Sequence, residues 1–219
     1  MKEITNKIEQ MIKLYYDNKD SALYYKACER TFNEIENKES SISLFVDKLR
    51  KKYLLHPVIS GPGNFPYYRF MFSVNESQTE SVYKSTNLVF NISTLDDIYT
   101  YYFMDEWKFM EYKTFSLDDV NNADFPIELH RQPPSFNILY SERSLLHELN
   151  PNIFGIIKEF KSFLSDYLFI PHQPLFWIKY DGKIPYYAKS YIDVPSEKIP
   201  AFELIFDGSL RSKPYTILN

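Results

Sequence analysis

The stretch Asn150–Phe169, NPNIFGIIKEFKSFLSDYLF, constrains the chain more than any other. Its apolar side chains fall at Ile153, Ile156, Ile157, Phe160, Phe163, Leu164, Tyr167 and Leu168. That is the i, i+3, i+4, i+7 recurrence of a helix with one buried face. Asn150 is a good N-cap, and Pro151 suits the first helical position, where its missing N–H is no loss. Pro171 and Pro174 close the far end. The spacing predicts one long central helix. Its polar positions Lys158, Glu159, Lys161 and Asp166 are mixed in sign, so it reads as a scaffold for a sheet.

Three further helices are expected before it. Residues 2–18 carry a stripe of Ile4, Ile8, Met11, Ile12 and Tyr15; residues 21–36 repeat it with Tyr24, Ala27, Cys28, Thr31 and Ile35. Residues 41–53 do so again with Ile42, Phe45, Val46, Leu49 and Tyr53, behind Ser40 or Ser41 as cap. Two Gly and three Pro between His56 and Pro66 mark a loop, and no Lys-Ser/Thr follows it as a phosphate-binding loop requires. Alternation at period two then predicts strands over 67–74 and 86–92, with a polar loop at 75–80. Residues 95–115 fit period two, with a turn at Asp105-Glu106 and a second strand from Trp107. They also fit a helix behind Thr94; the wealth of Tyr, Phe, Trp and Thr favours strands. A loop is expected over 121–136 and a short helix over 142–149. Asp181-Gly182 between apolar runs predicts a hairpin of 175–180 with the residues after it, shortened by Pro185. Residues 186–193 and 201–206 read as further strands, and the tail after Pro214 as extended.

The implied class is α+β: N-terminal helices and one long central helix packed on a mostly antiparallel sheet. A single domain spans 1–219, with a helical region over residues 1–56, a β-rich region over residues 65–140 and a helix-plus-hairpin region over residues 141–219. With 19 Tyr and 18 Phe, the core is expected to be built from rings as much as aliphatics.

Composition removes several functions. A net charge of −4 argues against binding a nucleic-acid backbone. A single cysteine, Cys28, excludes an intrachain disulfide and zinc–thiolate sites, fits a cytoplasmic setting, and reads as inert core. The charged N-terminus lacks the apolar run of a signal peptide, and no stretch predicts membrane insertion. No nucleophile elbow and no His-Glu-x-x-His occurs, so no cofactor, metal or catalytic residue is assigned. His56, His130 and His172 read as solvated loop residues and His147 as a helix-surface residue. A convergence of His130, His147 and His172 with a carboxylate would make a hydrolase-type site.

Charge layout points elsewhere. Residues 95–128 hold nine carboxylates against two lysines, a net of −7, which leaves +3 for the rest. The same stretch holds Tyr99, Tyr101, Tyr102, Trp107 and Tyr112. Acids beside Tyr and Trp suit a basic protein partner, because rings supply anchors and acids steer encounter. The candidate partner-binding set is Asp96, Asp97, Tyr99, Tyr101, Asp105, Glu106, Trp107, Glu111, Asp118 and Asp119. Alternatively these rings face the core and the acids are an ordinary solvated face. The expected function is that of an acidic immunity or inhibitor protein covering a basic toxin or effector. A His/carboxylate hydrolase and an aromatic-lined carbohydrate or small-ligand module are the alternatives.

Overall fold

A computed structural model describes residues 2–17, 22–54, 57–60, 67–109, 135–141, 151–180, 199–206 and 215–218. The expected N-terminal helices form. α1 (Lys2–Ile12) runs into one π-helical turn, Lys13–Asp17, and is followed by α2 (Ala22–Glu36) and α3 (Ser41–Tyr53). Ser40 caps α3 by accepting from the Ser43 N–H at 3.2 Å. Arg50, Lys51 and Lys52 fill its last turn, where cations favour the helix dipole. The exposed Leu54 ends it in the left-handed region, φ 53°, its N–H reaching the Arg50 carbonyl.

The sheet is a meander of long strands. β1 (Val58–Ser60), β2 (Tyr67–Gln78), β3 (Val82–Ser93), β4 (Ile98–Phe109) and β5 (Ser135–Tyr140) pair antiparallel in chain order. The two-residue β6 (Leu168–Phe169) joins the start of β4 in parallel, and a separate pair joins β7 (Lys179–Tyr180) to β8 (Ile199–Pro200). β9 (Tyr215–Ile217) adds in parallel to β5. The remaining helices are α4 (Pro151–Phe163), α5 (His172–Trp177) and α6 (Ala201–Ile205).

Helices cover both faces of this sheet. Register aligns Tyr68, Ile92 and Tyr99; Phe70, Phe90 and Tyr101; and Phe72, Leu88 and Phe103 on one face. These pack with Phe45, Val46 and Leu49 of α3 and Ile153, Ile156 and Phe160 of α4. We call this face A. On face B, Val89, Ile98, Tyr102, Met104 and Leu139 pack with Ile8 and Ile12 of α1, Tyr24 of α2, Phe176 of α5 and Phe202 of α6. The class is therefore α+β with a mostly antiparallel sheet, in three layers.

Several expectations are corrected. The central helix is not long: α4 stops at Phe163, and Leu168 lies in β6 opposite Ile98. Tyr167 and Leu168 extend the helical stripe by coincidence, because they pack half-buried against the two sides of the sheet instead. Asp105-Glu106 is no turn; β4 runs straight through it, with Ser85 and Thr86 opposite. Its residues 98–105 are all buried, so burial on both faces erased the alternation that separates strand from helix. β2 continues past Val74 through a bulge between Ser73 and Asn75, and the turn comes later, where the Thr79 N–H bonds the Val82 carbonyl at 2.8 Å. Residues 172–177 and 201–205 are helices rather than strands. Both follow a proline that fixes the entry, and α6 is five residues long and buried at every position, Glu203 included, so it is too short and too enclosed to reveal its period. β7 pairs with β8, and the return strand expected after Asp181-Gly182 lies outside the described residues. Residues 57–60 include β1, and Ser135 and Phe136 belong to β5. The expected elements at 142–149 and 186–193, and most of the loop 121–136, lie outside the described residues.

Candidate protein-binding surface

β4 carries the candidate residues, and its length separates them. Asp96 and Asp97 sit in the turn before it, whereas Asp105, Glu106 and Trp107 lie near its end. Eight residues of extended chain put Asp97 about 27 Å from Asp105. Between them Tyr99 and Tyr101 are only 5% and 6% exposed and belong to the face A core, so their rings offer a partner no anchor. Burial also raises the Tyr99 phenol above its ordinary range. Glu111, Asp118 and Asp119 lie outside the described residues. The seven described side chains thus do not make one patch.

At the near end, Asp96 pairs with Lys7 at 3.4 Å and accepts the Asp97 N–H at 2.9 Å. Thr94 meets the buried Thr31 hydroxyl at 2.6 Å, and its carbonyl accepts from Arg30 at 2.7 Å. These contacts tie the turn to α1 and α2. A cleft of about 870 Å³ opens beside it, lined by Lys7, Gln10, Met11, Leu14, Tyr15 and Asp96 among others. Burial, then the charge of Asp96, raises the Tyr15 phenol.

The far end is different in kind. Register sets Lys84, Trp107 and Phe136 side by side across β3, β4 and β5. The Trp107 and Phe136 rings lie parallel at 6.0 Å, and Phe109 stacks on Phe136 at 5.9 Å. Lys84 Nζ stands 4.9 Å over the Trp107 ring and 2.9 Å from Asp105. This row continues face A beyond the residues that α3 and α4 bury; Phe109 is exposed and Trp107 and Phe136 are partly so. On the opposite face Glu106 pairs with Lys108 at 3.3 Å, and Lys108 lies over the Tyr83 ring. Asp105 points inward: it accepts from Thr86 at 2.8 Å and from Tyr140 at 2.7 Å. Burial, and then that bond, push the Tyr140 phenol far up. Asp105 therefore holds strands together, while Phe109 is exposed and Trp107 is partly so, with its indole nitrogen buried. Phe136 and Lys84 were not foreseen, because only tertiary pairing brings them beside Trp107; the alternation of Phe136, Ile138 and Tyr140 was the available signal.

Elsewhere the titratable groups are structural. Glu159 of α4 accepts from Lys48 and Lys52 of α3, and the two lysine hydrogen bonds, Lys52 first, lower its carboxyl. Cys28 is half-buried, and burial pushes its thiol up to about 12, as an inert residue requires. His172 is no solvated loop residue: it lies in α5, 1% exposed, with its ring 5.4 Å from that of Tyr102. A preceding proline and five following helical residues carry it inward. Burial lowers its pKa to about 4, so it is neutral. His56, His130 and His147 lie outside the described residues. Among the described residues no group of His, Cys, Asp and Glu is placed to hold a metal, and no helix is long and apolar enough to cross a membrane.

The neutral His172 makes stability depend on pH. Its folded pKa of about 4 lies below its unfolded value, so between pH 6.5 and 4 the unfolded chain binds more protons. The neutral histidine's contribution is whole above pH 6.5 and fades as pH falls through that window. The shift corresponds to roughly 3 kcal/mol at 1.36 kcal/mol per pKa unit. Urea midpoints of the wild type and His172→Gln, measured from pH 7.5 to 4, should diverge in slope across that window; parallel curves would contradict it.

The chain matches no protein-family model, no curated protein and no solved structure.

Proposed function

We propose that this is a protein-binding protein of the immunity or inhibitor type, which covers the active surface of a basic toxin or effector in the cytoplasm. The observation that carries the reading is the aromatic row Trp107, Phe136 and Phe109, beyond the part of face A that α3 and α4 bury. Flat rings held by neighbouring strands are preorganised anchors, and Trp is among the residues that dominate interface energies. The chain leaves Phe109 directly into Glu111, Asp118, Asp119, Asp124 and Glu128, which supply negative charge to steer a cationic partner. Asp96 and Asp97, at the other end of β4, belong to a separate surface in this reading.

The test is co-expression with the product of the adjacent gene. The wild type should restore growth to cells expressing that product and co-purify with it. Trp107→Ala combined with Phe109→Ala should weaken the complex by at least about 2 kcal/mol, some thirtyfold, as loss of a ring anchor does. The variant's unfolding midpoint checks that it is still folded. A folded double variant that binds and protects as well as wild type disproves the surface. An adjacent product that is neither toxic nor bound disproves the immunity role.

A further inference from the structure

We propose that the covered face of the β3–β4 pair holds internal water bonded to Asn91, Thr100 and His172. β3 presents Ser85, Asn87, Asn91 and Ser93, with Val89 among them, to face B, against Leu88, Phe90 and Ile92 on face A. A strand face with four polar positions out of five ordinarily meets solvent. Here helices close over it, and those four residues are 5%, 6%, 0% and 1% exposed.

Asn87 Nδ2 donates to Ser85 Oγ and Ser93 Oγ accepts the Leu95 N–H, each at 3.2 Å, but the hydrogen bonding around Asn91 is incomplete. Asn91 Nδ2 donates to the Tyr102 hydroxyl at 3.3 Å, but Asn91 Oδ1 has no protein partner. Neither has Thr100 Oγ1, on the residue directly opposite Asn91 in register, nor His172 Nε2, on the ring packed against Tyr102. Side chains opposite each other on one sheet face stand about 5 Å apart, a distance that one water bridges. The three atoms are an amide acceptor, a hydroxyl able to donate or accept, and an imidazole nitrogen. Water supplies both complements, and a buried site with several polar partners is where proteins retain it. Left dry, each atom would carry its desolvation penalty uncompensated. Face A has no such buried strip: its central positions are all apolar or aromatic. The Glu203 carboxylate, 1% exposed on α6, adds further polarity to the face B layer.

A high-resolution crystal structure of the unaltered protein should show ordered density within hydrogen-bond distance of Asn91 Oδ1 and Thr100 Oγ1. In solution, oxygen-17 relaxation dispersion should count at least one long-lived water fewer in Thr100→Val than in wild type, with the melting temperature unchanged or lower. Absence of that density overturns the proposal. So does an unchanged water count with a raised melting temperature in Thr100→Val, because a dry hydroxyl gains from becoming a methyl. If Thr100→Val does not fold, the density in the unaltered protein decides alone.

Discussion

Phe160→Ala is expected to lower the stability of the protein by about 4 kcal/mol, and Phe160→Asp to abolish its cooperative unfolding. Phe160 is fully buried at the meeting of three elements. Its ring stacks on Phe90 of β3 at 3.9 Å and meets Phe45 of α3 edge-on at 4.9 Å. Phe70 and Phe72 of β2 lie 5.6 and 5.8 Å away. Because those rings are anchored on separate elements, none can move into the void without leaving its other contacts. The loss therefore includes a cavity as well as the transfer of the ring. Domains of this size are stable by about 5–15 kcal/mol, so the alanine variant would spend a large part of the margin. Urea denaturation reads it as a lowered midpoint with an unchanged slope. Phe160→Leu, which keeps most of the volume, should lose about 1.5 kcal/mol. A soluble Phe160→Asp protein with a wild-type transition would remove α4 from the centre of the fold.

Asp105→Ala is expected to cost roughly 3–5 kcal/mol, far more than its place in an acidic run suggests. Its Oδ1 accepts from both Thr86 and Tyr140, and Lys84 reaches Oδ2. Removing the carboxylate leaves the enclosed Thr86 and Tyr140 hydroxyls only each other, so one of the two donors loses its acceptor. Lys84, about one-third exposed, can turn to solvent, so the hydroxyls carry most of the loss. Asp105→Asn keeps an acceptor in place and should lose less. The same variants separate fold from binding. Asp105→Ala should weaken a partner complex only as far as it unfolds the chain, whereas Trp107→Ala should weaken it in a protein of near-native stability. Wild-type stability for Asp105→Ala would mean that this carboxylate is not holding β3, β4 and β5 together.

What could be read beforehand follows from which elements keep one face in water. α1, α2 and α3 do, and their stripes gave their positions within a residue or two. β3 alternates in sequence although both of its faces are covered, because most of its face B side chains, Val89 excepted, are polar; the strand was legible and its burial was not. β4, apolar on both faces, was ambiguous for the same physical reason that it is central. α6, buried at every position, carried no period to read. The candidate surface was legible as a composition but not as a place. An acidic count treats residues 95–128 as one object, whereas an extended strand carries Asp97 and Asp105 to opposite ends and turns Tyr99, Tyr101 and Asp105 inward. The Trp107–Phe136 contact depends on tertiary pairing, which no local pattern records.

The two helical layers are also assembled from different segments of the chain. Face A is closed by α3 and α4, both contained within residues 41–163. Face B needs α1 and α2 from the first 36 residues and α5 and α6 from beyond residue 171. On a ribosome, where the chain emerges from its N-terminus and domains fold as they appear, the two sides must finish at different times. The ring-filled side can consolidate while α5 and α6 are still unmade. Until they arrive, the apolar stripes of α1 and α2 lack some of their cover, and the polar side of β3 keeps that unfinished surface wetted. The layer that seals last is thus the one in which a central strand sets Asn87, Asn91 and Ser93 among apolar neighbours.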